Sequence, residues 1–266
     1  MNFTDALSNA SIAVAIMMVA VWLISLLIRD VGIVDIGWGI GFVLIAWVTF
    51  ISSKQTTRCW LISILVTTWG LRLAGYLAKR NLGKGEDYRY VAMRERHGSR
   101  FPTVSLFTVF GLQGVVMLIV ALPILTGQTQ QADAPIDVIT MAGCVVWLVG
   151  FIFEAGGDWQ LARFKSNPQN KGKVLDRGLW KYTRHPNYFG DFAIWWGTYL
   201  IAFGSGGTWW SAVGPAVMSV FLMKFSGVGL LEKNLTRKPG YADYIARTNA
   251  FFPWFPKAGS QESLAE

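Results

Sequence analysis

Residues 10–28 read Ala-Ser-Ile-Ala-Val-Ala-Ile-Met-Met-Val-Ala-Val-Trp-Leu-Ile-Ser-Leu-Leu-Ile, without one charge. An α-helix needs about 17–25 apolar residues to cross the hydrocarbon of a bilayer. Working outward, six more apolar stretches of crossing length follow, at 32–52, 59–79, 103–126, 136–157, 187–204 and 208–231. The pattern predicts an all-α, polytopic integral membrane protein with seven transmembrane helices. Gly190 and Gly197 are expected to break the sixth span, and Gly214 and Pro215 to kink the seventh.

Composition agrees. Of 266 residues, 53% are hydrophobic and 15% charged, with mean hydropathy +0.38. A soluble domain carries about 25% charge, so this chain cannot cover a water-facing surface. Its apolar content excludes disorder. Two cysteines, Cys59 and Cys144, exclude a disulfide scaffold. Thirteen Trp and 28 Gly suit membrane interfaces and close helix approach. The net charge of +8 is confined to a few loops, which argues against a nucleic-acid surface. The first apolar run follows Asn2-Phe3-Thr4-Asp5, with no basic n-region, so no cleavable signal peptide is expected.

Residues 79–100 carry Lys79, Arg80, Lys84, Arg89, Arg94, Arg96 and Arg100; residues 158–186 carry Arg163, Lys165, Lys171, Lys173, Arg177, Lys181 and Arg184. Residues 127–135 and 205–207 carry neither Lys nor Arg. Cytoplasmic loops hold the excess of Lys and Arg. The two basic loops and the C-terminus are therefore placed in the cytoplasm and the N-terminus outside, as in a bacterial inner membrane. Lys54 and Arg58 fall outside in this scheme, against the rule. The chain reads as one domain over 1–256, with 1–130 mainly the substrate side and 136–256 mainly the cofactor side. Residues 257–266 read as a disordered tail.

Ionisable groups within the spans are the functional signal, because a charge in hydrocarbon costs about 2.5–3.5 kcal/mol on insertion scales. Asp35 starts span two, Arg72 lies in span three, Glu154 and Asp158 end span five, and Asp191 lies one turn into span six. Lys224 and Glu232 lie in or just after span seven. Asn187 and Asp191 are i and i+4, as are Glu154 and Asp158, and Arg72 and Tyr76, with Arg80 continuing the last stripe. Pro186 suits a first helical turn, and a helix N-terminus favours an anion. Arg and Lys in the 158–186 loop suit phosphate. Together these residues predict a cytoplasmic pocket for a large, polar, partly anionic molecule. No His/Cys/Asp/Glu cluster has metal spacing, so no metal is expected. No GxGxxG follows a strand.

At Arg184-His185-Pro186-Asn187-Tyr188-Phe189-Gly190-Asp191 the sequence resembles the C-terminal domain of the steroid 5α-reductase family, and its bacterial relatives still more closely. It is similar there to sterol C14 reductases, and more loosely to isoprenylcysteine carboxyl methyltransferases. Further matches are Leu231-Glu232-Lys233-Asn234-Leu235, Lys238-Pro239-Gly240-Tyr241, Tyr244 and Phe252-Pro253-Trp254-Phe255. Gly83-Lys84-Gly85-Glu86-Asp87-Tyr88-Arg89-Tyr90 and Leu112-Gln113-Gly114 complete them. The resemblance implies a seven-helix reductase that uses NADPH to reduce the double bond of an enone lipid, typically a 3-oxo-4-ene steroid, while an acid polarises the ketone. Matched by position, cofactor contacts fall on Arg72, Tyr76, Glu154, Asp158, Lys165, Lys173, Tyr182, Asn187, Asp191 and Glu232; Arg80, which continues the span-three stripe, and Arg184, His185 and Tyr188, beside the polar face of span six, are expected to join them. The catalytic positions fall on Asp35, Trp69 and Tyr76. Trp69 stands where the family has a ketone-polarising Tyr, and an indole cannot supply a proton as a phenol can. A protonated Asp35 is the expected substitute.

Two other functions fit the composition. One is an S-adenosylmethionine-dependent methyltransferase acting on a lipid or prenylated substrate, although the paired glutamates expected after its last span are here Glu232 and Lys233. The other is a transporter, although no inverted repeat is visible.

Overall fold

The computed structural model describes residues 1–130, 133–204, 207–225 and 239–257, and among these every regular element is helical. The chain divides into two compact units, Met1–Met141 with Thr198–Gly214, and Ala142–Gly197 with Pro215–Glu266.

The first unit begins with α1 (Phe3–Ile28). Its N-terminus is closed by a reciprocal capping box between Asn2 and Asp5. Only Ala6, Ala10, Val14, Met18 and Ser25 of this helix are buried, mostly at i+4 spacing. Ile12, Ile16, Leu23 and Leu27 stand exposed. A helix with apolar residues all round and a narrow buried stripe suits lipid on its open face. Next come α2 (Ile33–Ile51) and α3 (Thr57–Asn81), pressed together where Gly39 faces Gly70. A Cβ on Gly70 would lie 2.6 Å from the Gly39 carbonyl oxygen, so both positions exclude a side chain.

The predicted loop 79–100 is largely helical. Asp87 caps α4 (Tyr88–His97), which continues through α5 (Phe101–Ser105), a π-helical stretch (Leu106–Gly111) and α6 (Leu112–Val120). The short α7 (Leu122–Gln128) follows, with Pro123 in its first turn.

Arg58, the cation that breaks the loop-charge pattern, is buried at 3% exposure. Its guanidinium donates to the Gly204 carbonyl and, at 3.0 Å, to Gln130 Oε1. It therefore serves as a buried donor to backbone, where the rule counts solvated loop charges. Replacing Arg58 with Met keeps its length but strips the carbonyl of its partner. This should lower stability by about 2–3 kcal/mol, read as a fall in melting temperature of the detergent-purified protein. Lys54→Met, at an exposed position, should leave it unchanged.

The second unit holds most of α8 (Val138–Ser166) and α9 (Pro186–Phe203), then α10 (Val213–Val220), a π-helical turn (Phe221–Phe225) and α11 (Tyr241–Arg247). α9 begins at the expected Pro186. α8 continues past 157, so the basic loop is shorter than its charge pattern suggests. Gly190 and Gly197 do not break α9. A Cβ on Gly190 would lie 2.5 Å from the Gly150 carbonyl oxygen, and one on Gly197 would lie 2.6 Å from the Trp147 nitrogen. These glycines let two helix backbones touch. No residue of α9 is exposed.

Five helical stretches are long and apolar enough to cross a membrane: Phe3–Ile28, Ile33–Ile51, Thr57–Asn81, Tyr88–Val120 and Val138–Ser166. They suit a polytopic membrane protein. α9 is not among them; it carries Asn187 and Asp191. The expected span 208–231 lies partly outside the described residues.

Candidate functional site

The glycine seam sets the register of α8 against α9, and with it the polar groups. Gly157 faces Pro186 and the Asn187 nitrogen, the latter 3.2 Å from where a Cβ would stand, and Gly190 faces Glu154. Asp158 and Asn187 therefore meet, and the Asn187 amide donates to Asp158 Oδ1 at 3.1 Å. Glu154 and Asp158 are 3% and 4% exposed, and Asp191, one turn beyond Asn187, is 8% exposed. Carboxylates this deep need partners. One member of each i, i+4 pair is thereby joined to the other helix, and Glu154 and Asp191 lie one turn along their helices from that bond.

The chain leading into α9 is tied on two sides. On α8, Trp180 Nε1 donates to the Gly157 carbonyl at 3.1 Å, and Gln160 Oε1 accepts the Leu179 N–H at 3.0 Å. On the C-terminal segment, Arg184 N–H donates to the Asn249 carbonyl at 2.9 Å, and its guanidinium donates to the Thr248 and Ile245 carbonyls. Thr183 Oγ1 donates to the Phe251 carbonyl at 2.8 Å, and the Trp254 N–H to the Tyr182 carbonyl at 3.0 Å. Tyr244 donates its hydroxyl to the Trp180 carbonyl. Burial pushes its phenol well above the usual range.

Arg184 thus grips backbone, a structural task beside any it has toward a ligand. His185, 3% exposed, stacks on Tyr188 with ring centroids 5.6 Å apart. Tyr182 is half-buried with its ring edge-on to Phe255. Lys165 and Lys173 are exposed, as is Arg163, which lies over the Trp159 ring. Glu232 lies outside the described residues.

In the first unit, Asp35 lines a cavity of about 280 Å³ together with Asp30, Arg80, Lys84, Glu86 and Arg89. Glu86 takes Arg94 at 2.7 and 3.0 Å and the Val31 N–H at 3.0 Å, which pins the 82–87 turn to the start of α2. Burial opposes its ionisation, but these hydrogen bonds outweigh burial and hold its carboxyl below the usual range. Hydrogen bonding from Arg89 holds Asp87 low as well. Arg72 and Tyr76 are half-buried on α3, and Arg80 reaches over the Tyr76 ring at 5.7 Å. Trp69 is 1% exposed and packs on Phe42 at 5.6 Å, in the core of the unit. Among the described residues no three His, Cys, Asp or Glu come together as metal ligands.

The family model described as "Protein of unknown function (DUF1295)" matches residues 21–248. The chain belongs to this family. The match runs from within α1 to just past α11, so both polar regions lie inside it. A curated relative, the probable O-methyltransferase ustE of Ustilaginoidea virens, is 34% identical over 101 residues, 37% of this chain. That stretch covers 34% of the relative, so the chain spans about a third of the curated protein it matches. No solved structure matches.

Proposed function

We propose that the chain is a membrane-embedded, NADPH-dependent reductase of an enone lipid, such as a 3-oxo-4-ene steroid. The buried cluster of Glu154, Asp158, Asn187 and Asp191, with Arg163, Lys165 and Lys173 on the neighbouring chain, carries this reading. Carboxylates and an amide hydrogen-bond hydroxyl and carboxamide groups, while exposed cations suit phosphates. The donor set therefore fits a dinucleotide with an added phosphate. NADPH, when bound, supplies the hydride. The chain's own residues hold and orient it and keep water out. Asp35, held protonated, would donate a hydrogen bond to the substrate ketone. The other two spans of the seven are assigned to α9 and to 208–231, with the basic segments in the cytoplasm.

A second reading is favoured by the curated relative: an S-adenosylmethionine-dependent O-methyltransferase acting on an apolar acceptor. The same acid–amide cluster would suit that cofactor's ribose, but a sulfonium gives the basic segment no phosphate to meet.

Melting of the purified protein decides between them, because a ligand that binds only the folded state stabilises it. NADPH should raise the melting temperature by several degrees. A rise with S-adenosylmethionine alone would transfer the assignment to the methyltransferase, and a rise with neither would remove both. Replacing Lys165 and Lys173 with Gln should weaken NADPH about tenfold more than NADH, if they hold the 2′-phosphate. Equal weakening would place that phosphate elsewhere.

A further inference from the structure

Gln113 stands near the middle of the expected span 103–126 and is the second residue of α6. Met117 and Val120, four and seven residues on, are fully buried and share its side of α6. The neighbouring Gly114 packs on Val14 and Met18 of α1. Met117 comes against Gly41 of α2, where Met17 also reaches. Gln113 therefore stands on the side of α6 that faces α1 and α2, where the neighbouring side chains are apolar and rich in Met. Leu112 and Val115, on the opposite side, are 56% and 57% exposed.

Two features set Gln113 apart from a packed core residue. It is only half-buried although its helical neighbours are closed off, so there is space beside it. Its amide also makes no hydrogen bond to the described residues. An amide in hydrocarbon without a partner is unfavourable, and methionines are side chains that adapt to varied apolar shapes. The π-helical stretch Leu106–Gly111 ends two residues earlier, and such stretches often mark functional positions.

We propose that Gln113 hydrogen-bonds the oxygen of a neutral, otherwise apolar lipid held inside the first unit. A neutral amide far from the bilayer surface selects a carbonyl or hydroxyl set within an apolar frame, because the charged head of a phospholipid would stay at the interface. The inference rests on the lipid-substrate reading above and adds a residue that would hold the lipid's oxygen.

The test places a benzophenone amino acid at 113 in the full-length protein and irradiates membranes of the expressing host. The same residue at Leu112 is the control. Mass spectrometry should find a neutral oxygenated lipid on position 113, several-fold enriched over 112. Phospholipid adducts in equal proportion at both positions would overturn the proposal, as would crosslinks only to α1 or α2. Should the large residue prevent folding, lipid extracted from the wild type and from Gln113→Leu gives the same answer. The neutral lipid should fall about fivefold to tenfold in the variant, the loss of one hydrogen bond, and equal retention would overturn the proposal. The NADPH melting response of Gln113→Leu should match the wild type. If the wild type itself shows no NADPH response, the reductase reading fails while the lipid result stands on its own.

Discussion

Gly190→Ala should leave little or no folded protein. The added methyl would stand 2.5 Å from the Gly150 carbonyl oxygen and 2.6 Å from Glu154 Cβ, and would also meet the Glu154 nitrogen. These are mainly backbone atoms in the middle of α8, which cannot turn aside as a side-chain end can. Overpacking costs about 1–3 kcal/mol where side chains can shift, and this site should lie at or above the top of that range. The α8–α9 seam would have to open, and with it the contact that joins Asn187 to Asp158. The measurement is the yield of a monodisperse peak in detergent and its melting temperature. Gly75→Ala is the control: it sits on an exposed face of α3 with nothing within 4 Å of a new Cβ. There the better helix propensity of Ala should raise stability by up to about 1 kcal/mol. Equal tolerance at the two positions would mean that α8 and α9 do not touch as described.

Asn187→Leu should cut the NADPH response while leaving a folded protein. Leucine fills a similar volume, so packing beside Gly157 is kept. The variant removes the amide that donates to Asp158, a carboxylate only 4% exposed. Leaving the buried Asp158 without that donor lowers stability by about 1–3 kcal/mol with or without ligand. NADPH loses its own bond to the amide, which should weaken it about tenfold. Titration by melting temperature or by nicotinamide fluorescence reads the effect. Unchanged affinity would take the acid–amide cluster out of the cofactor site.

Part of this protein is legible in its amino-acid sequence. The long uncharged run at 10–28 announces a lipid-facing helix, because helix length and hydrocarbon thickness are matched quantities. Pro186 marks the start of α9, since its fixed φ and missing N–H suit a first turn. The pairing of Asn187 with Asp191, and of Glu154 with Asp158, follows from 3.6 residues per turn. Other features mislead for a common reason. Gly190 and Gly197 look like helix breakers in one chain segment, and become contact points only when α8 lies against them. Arg58 looks like a loop charge until Gly204, 146 residues away, presents its carbonyl. Nothing in the sequence assigns a role to Gln160, Trp180 or Thr183, whose partners on α8 and the C-terminal segment are brought near by folding alone.

Hydropathy and helical period act over one or two turns, so the chain's letters determine that it is helical, suited to a membrane, and polar on certain helix faces. Which faces meet depends on backbones approaching closely enough for a glycine to matter, a condition between segments far apart in the chain. Only the tertiary structure could therefore decide that Asp158 is answered by Asn187, that Trp69 is packed in the core, and that Gln113, on the buried side of α6, has no hydrogen-bond partner among the described residues.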